Sequence, residues 1–229
     1  MSEPDHDSPT TTAALLALGV VAVSFSAPIA ATTAAPALAV AFWRNALAVV
    51  VVVPWTLLRR RAELVSLLRH ERRVLGVAVL SGLVLALHFG LWVPSLRLTS
   101  VTASTALVAT TPLWTLLVDR LTGRRPSRGV VLGALLAFAG VVVITGVDAD
   151  ASRAALVGDA LALGGGAAAA GYTLLGSAVR RTTSTATYTS VAYTVCALAL
   201  LPVCVVGGQP LAGYAGRTWV ELVVLMATA

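Results

Sequence analysis

The stretch AFWRNALAVVVVVPW, residues 41–55, decides the class of the molecule. From Ala46 to Trp55 it is apolar enough for the hydrocarbon interior of a bilayer, yet Arg44 stands near its start. The whole chain shares this character. Of its 229 residues 58% are hydrophobic and 11% charged, and the mean hydropathy is +0.89. A water-soluble domain of this size needs more charge on its surface. The composition therefore predicts a polytopic all-α membrane protein.

Apolar runs of about 20 residues, the helix length that crosses a bilayer, recur along the chain. They cover roughly 13–33, 37–58, 74–96, 100–119, 129–146, 157–178 and 186–206, and an eighth begins near Trp219. The short run after Trp219 reads as an incomplete span, so the chain is expected to be truncated after about seven complete spans. All sixteen basic residues are arginine, and they orient the spans. Arg59, Arg60, Arg61, Arg69, Arg72 and Arg73 follow span two, Arg120, Arg124, Arg125 and Arg128 follow span four, and Arg180 and Arg181 follow span six. The opposite loops hold Arg97, Arg153 and Arg217, with Asp148 and Asp150. This asymmetry places the polar N-terminus, 1–12, in the cytoplasm of a multi-pass protein of the bacterial plasma membrane. Arginine clusters between apolar runs do not form a nucleic-acid surface. The segment 59–73 has Leu64, Val65, Leu67 and Leu68 among its arginines. It reads either as a helix on the anionic leaflet or as a solvated loop with buried leucines.

AFWRNALAVVVVVP (41–54) can be laid weakly on AYTVCALALLP (192–202). A five-span unit has an odd number of crossings, so a second copy runs in the opposite sense and gives an inverted repeat. FWRNALA (42–48), HFGLWVPSLRLTSVTASTALVATTPLWTLLVD (88–119), GVVLGALLAFAGVVVITG (129–146) and GDALALGGGAAAAGYTLLGSAVRR (158–181) together resemble the drug/metabolite transporter superfamily, in particular its EamA-like branch. The resemblance implies a ten-helix fold of two inverted five-helix halves. The first would occupy 13–146, and the second, incomplete, 157–229. It also implies transport of small metabolites or drug-like solutes. The chain departs from the family at GRR (123–125), where a Gly-Glu pair precedes a basic residue in the usual pattern.

An arginine inside a span costs roughly 2.5–3.5 kcal/mol at mid-helix on insertion scales. Arg44 lies about 10 Å from the outer end of its helix. Two readings stay open. Its side chain reaches the outer headgroups or carbonyls freed near Pro28 or Pro94, or it faces a central cavity and meets an anionic group of the solute. No complete span has an acid near its middle. His88 lies at a similar depth, with Trp92 one turn on along the same face. It reads as a hydrogen-bonded structural histidine or as a pocket ligand. Ser24, Ser26, Thr110, Thr111, Tyr172 and Tyr193 sit near mid-membrane, each as a cavity-lining residue or a helix–helix hydrogen bond. Gly129 and Gly133 form a GxxxG pattern and, with Gly140, Gly164, Gly165, Gly166 and Gly171, allow close packing. Cys196 and Cys204, about 12 Å apart along a helix, are too distant for a disulfide.

No cofactor, metal-ligand or enzyme motif emerges. The expectation is a transporter, exporting small solutes by alternating access without ATP hydrolysis. Its solute carries a carboxylate or other anionic group. Its surroundings are membrane lipids, and a homodimer stays open. The rival is a non-transporting membrane assembly subunit or an inactive truncated paralogue.

Overall fold

A computed structural model describes residues 9–147 and 152–228. Most of the polar stretch 1–12 and the Asp148/Asp150 loop lie outside the described residues. Every regular element described is helical: α1 (Pro9–Ser24), α2 (Ser26–Thr32), α3 (Ala37–Arg59), α4 (Arg61–His70), α5 (Arg72–Ser95), α6 (Val101–Val108), α7 (Thr111–Leu121), α8 (Arg128–Val147), α9 (Arg153–Val179), α10 (Thr185–Val206) and α11 (Gly216–Ala227). Five segments are long and apolar enough to cross a membrane: Ala37–Arg59, Arg72–Ser95, Val101–Leu121, Arg153–Val179 and Thr185–Val206. Gly19–Thr32 and Arg128–Val143 are shorter apolar helices. The five long segments match five of the expected spans; within 13–33 and 129–146, where the sequence predicts full spans, the apolar helices are shorter.

Two spans are broken, each by a proline. Proline lacks an N–H, and its ring clashes with the carbonyl four residues earlier. Pro28 therefore ends α1 at Ser24. Pro112 likewise ends α6 at Val108, and the chain restarts as α7 with the proline in its first turn. Pro54, Pro94 and Pro202 sit inside α3, α5 and α10, which stay single helices. Serines cap three N-termini. Ser100, Ser152 and Ser184 accept from Ala103, Ala155 and Thr187 N–H at 3.0, 3.1 and 3.3 Å. At the departure from the family pattern, Gly123 takes φ +81° and closes α7, with Arg124 N–H donating to the Asp119 carbonyl at 2.8 Å. The Arg124 side chain turns back to Asp119 at 3.4 Å.

The outward faces are apolar. Val50, Leu58, Leu132, Leu136, Leu198 and Val206 are all exposed, as a bilayer requires. Inside lie two clusters. One joins α2, α3, α5, α10 and α11 around Val40, Phe89, Trp92, Leu200, Leu222 and Leu225. The other joins α4, α5, α9 and α10 around Leu64, Leu67, Val179 and Tyr188. The 61–70 segment is thus a helix whose Leu64 and Leu67 are buried against protein.

Close packing centres on α9, not on the GxxxG pattern. A Cβ on Gly165 would stand 3.3 Å from Trp92 Cβ, and one on Gly166 3.2 Å from the Leu107 and Val108 carbonyls. At Gly129, Gly133 and Gly140 a Cβ would meet nothing within 4 Å.

Candidate functional site

Arg44 turns inward. It is 6% exposed, so it does not climb to the headgroups. Nη1 donates to Ser26 Oγ at 2.5 Å and Nη2 to the Thr228 carbonyl at 2.8 Å. The guanidinium carbon lies 5.0 Å from the centre of the Phe89 ring. The Thr228 carbonyl closes the C-terminal end of α11, where the helix dipole is negative. A hydroxyl, a helix end and an aromatic face thus share the compensation of this charge. Among the described residues the ion pairs are Arg124–Asp119 and Arg217–Glu221, and neither involves Arg44. Its Nε–H has no hydrogen-bond partner.

His88 is fixed from two sides. Its Nδ1 lies 2.9 Å from the Gly165 carbonyl. A carbonyl only accepts, so Nδ1 carries a proton and donates it to the Gly165 carbonyl. The ring stacks on Trp92, 5.6 Å between centroids, as i, i+4 spacing allows. Trp92 is 9% exposed, and its Nε1–H is unpartnered. Glycine at 165 is what lets the α9 backbone approach both side chains.

A cavity of about 170 Å³ lies between the two core clusters. Asn45 lines it from α3, His88 and Phe89 from α5, Tyr172 and Thr173 from α9, and Tyr193 from α10. Three of the sequence candidates therefore meet: His88, Tyr172 and Tyr193. Arg44 stands behind Phe89, and Trp92 lies against the His88 ring. Ser24 is not among them. It is exposed and donates back to the Val20 carbonyl at 2.7 Å. Ser26, two residues on, is the serine that reaches Arg44. Asn45, Phe89 and Thr173 were not singled out by sequence. Asn45 carried a usable signal, as an amide beside Arg44 inside a span. It donates from Nδ2 to the Ala41 carbonyl at 2.9 Å, which leaves its side-chain oxygen as an acceptor.

One end of the cavity is closed by tyrosines. Tyr172 stacks on Tyr188 at 6.1 Å, and the Tyr188 hydroxyl bonds Ser81 Oγ at 2.7 Å. Gly176 makes room for this, because a Cβ there would lie 2.5 Å from the Tyr188 hydroxyl. Beyond Tyr188, helix α4 reaches across. Glu63 Oε1 accepts from Ser184 N–H, 2.5 Å away, at the start of α10.

The arrangement offers small polar groups and aromatic faces inside a helical membrane protein, suited to holding a solute. A search among curated proteins finds no match. A family model, that of the EamA-like transporter family, matches residues 10–146. The match covers more than half of the chain, and its helices coincide with that segment, so the protein belongs to the EamA-like transporter family, a family of the drug/metabolite transporter superfamily.

Proposed function

We propose that the protein exports a small solute across the bacterial plasma membrane by alternating access about the Asn45–His88–Tyr193 cavity, without ATP hydrolysis. The observation that carries this is the position of the cavity. It lies where α3 and α5 of segment 13–146 meet α9 and α10 of segment 157–229. In an inverted-repeat transporter the solute site lies at that junction, and one half rocks against the other around it.

The packing supports two related halves. Under an exchange of α2 for α9, α3 for α10 and α5 for α11, the α3–α10 contact maps onto itself. The α3–α11 contact then matches α5–α10, and α2–α11 matches α5–α9, whereas α3–α5 and α2–α3 have no counterpart of comparable extent in α10–α11 and α9–α10. The broken helices α1/α2 and α6/α7 add support, since discontinuous helices border solute sites in transporters. Arg44 supplies positive potential one layer behind Phe89, and with an unpaired N–H it favours a solute with a carboxylate or other anionic group. The N-terminus is cytoplasmic in this reading.

Efflux of a radiolabelled pool of cell metabolites from proteoliposomes tests the proposal. The protein accelerates efflux of at least one component, and His88→Ala with Tyr193→Ala abolishes the acceleration at equal incorporation. Efflux no faster than from empty liposomes overturns the transport reading.

A further inference from the structure

A second hollow adjoins the cavity. A groove of about 640 Å³ runs between α7 and α8. Thr111, Thr115 and Asp119 line it from α7, at i, i+4 and i+8 on one helix face. Gly133, Ala134 and Ala137 form the opposite wall on α8. Thr173 of α9 lines both the groove and the cavity, so it is the partition between them. The Asp119 end adjoins the arginine-rich 120–128 loop, which the charge asymmetry assigns to the cytoplasmic side.

The hydroxyl protons along this route are already committed. Thr111 donates to the Val108 carbonyl at 2.7 Å, Thr115 to the Thr111 carbonyl at 3.1 Å, and Thr173 to the Ala169 carbonyl at 2.9 Å. A hydroxyl has one proton and two lone pairs. Once the proton is spent, the oxygen can only accept. Asp119, ion-paired with the exposed Arg124 at 3.4 Å, is an acceptor at the cytoplasmic end of the groove and adds no donor. The groove therefore suits a neutral solute with an apolar body and an O–H or N–H donor. The cavity at its inner end suits the opposite, because the Arg44 guanidinium, 5.0 Å from the centre of the cavity-lining Phe89 ring, lends it positive potential from the next layer.

A protonated carboxylic acid meets both demands. It is a neutral donor in the groove, and its carboxyl oxygens are acceptors near Arg44. We infer that the solute is an amphipathic carboxylic acid that reaches the cavity from the inner half of the bilayer, along the α7–α8 groove and past Thr173. The acid class rests on the transport reading and its role for Arg44. The route rests on the shared wall at Thr173 alone.

The test uses the whole chain in proteoliposomes, with Cys196→Ala, Cys204→Ala and Ala169→Cys, the last placing a thiol in the cavity. Bilayer-partitioning N-phenylmaleimide labels it at least tenfold faster than a membrane-impermeant sulfonated maleimide supplied on both sides. Thr173→Trp slows the first reagent about tenfold. So does Gly133→Leu, which fills the groove from a position where a Cβ meets nothing and folding is not burdened. Equal rates for the two reagents, or no effect of either substitution, overturns the route. A lipid chain seated permanently in the groove gives that second result.

Benzoic acid then slows labelling, benzyl alcohol does not, and Arg44→Gln removes the protection. Protection by both compounds, or by neither, overturns the acid class while the route stands on the labelling rates. Whether the protein transports at all is read separately from metabolite efflux.

Discussion

Arg44 of α3 donates to Ser26 of α2 at 2.5 Å, across the point where Pro28 breaks the first span. The same guanidinium holds the end of α11 through the Thr228 carbonyl. One side chain thus ties together three elements beside the cavity. Arg44→Ala leaves a buried hydroxyl and a buried carbonyl without their donors, which costs about 1–3 kcal/mol for each group left unsatisfied. Arg44→Lys keeps the charge but loses the two-pronged grip. We expect Arg44→Lys to insert normally and lose most activity, and Arg44→Ala to be inactive with a lowered melting temperature in detergent. Metabolite efflux and thermal unfolding of the purified variants check this.

Gly82 and Gly176 mark contacts that leave no space for a methyl group. A Cβ on Gly82 would stand 2.6 Å from the Ala192 carbonyl, and one on Gly176 2.5 Å from the Tyr188 hydroxyl. Overpacking of this kind costs about 1–3 kcal/mol. Gly82→Ala and Gly176→Ala are therefore expected to be destabilised by that amount, and Gly133→Ala to be unchanged, in thermal melts under identical conditions. Equal effects at all three positions contradict the packing described.

The Glu63 carboxylate accepts from Ser184 N–H at the start of α10, where the helix dipole favours a negative charge. Glu63→Gln keeps the shape and removes the charge. A loss of about 1 kcal/mol, diminishing at high salt, is expected from unfolding measured at two ionic strengths.

Ala62 in α4 and Ala212 after α10 lie on opposite sides of the membrane in the orientation that the arginines predict. Both are exposed. In a chain lacking Cys196 and Cys204, an impermeant thiol reagent applied to intact cells labels Ala212→Cys and leaves Ala62→Cys untouched. The reverse pattern inverts the topology.

The spans were legible because a bilayer demands roughly 20 apolar residues in a row, and the sequence writes that directly. Helix rotation was not. α1 is apolar on every side, so nothing local distinguishes Ser24 from Ser26. Ser24 ends α1 and Ser26 begins α2, with the chain turning at Phe25 between them, and Ser26 is buried while Ser24 is exposed. Breaks at Ser24 and Val108 follow only from counting back four residues from Pro28 and Pro112 to the clashing carbonyl. The pairing of His88 with Trp92 was legible from i, i+4 spacing. The Gly165 carbonyl that orients His88, and Phe89 between Arg44 and the cavity, depend on helices distant in sequence. The GxxxG at 129–133 misled because α8 presents those glycines to open space, whereas α9 uses its own against α5 and α6.

The central claim is that this cavity moves a solute. Its most direct test is a comparison of metabolite profiles in cells and medium for cells producing the protein, cells producing His88→Ala/Tyr193→Ala at equal membrane abundance, and cells producing neither. At least one small carboxylic acid is expected to shift from cells to medium with the unsubstituted protein alone. Identical profiles in all three would contradict it.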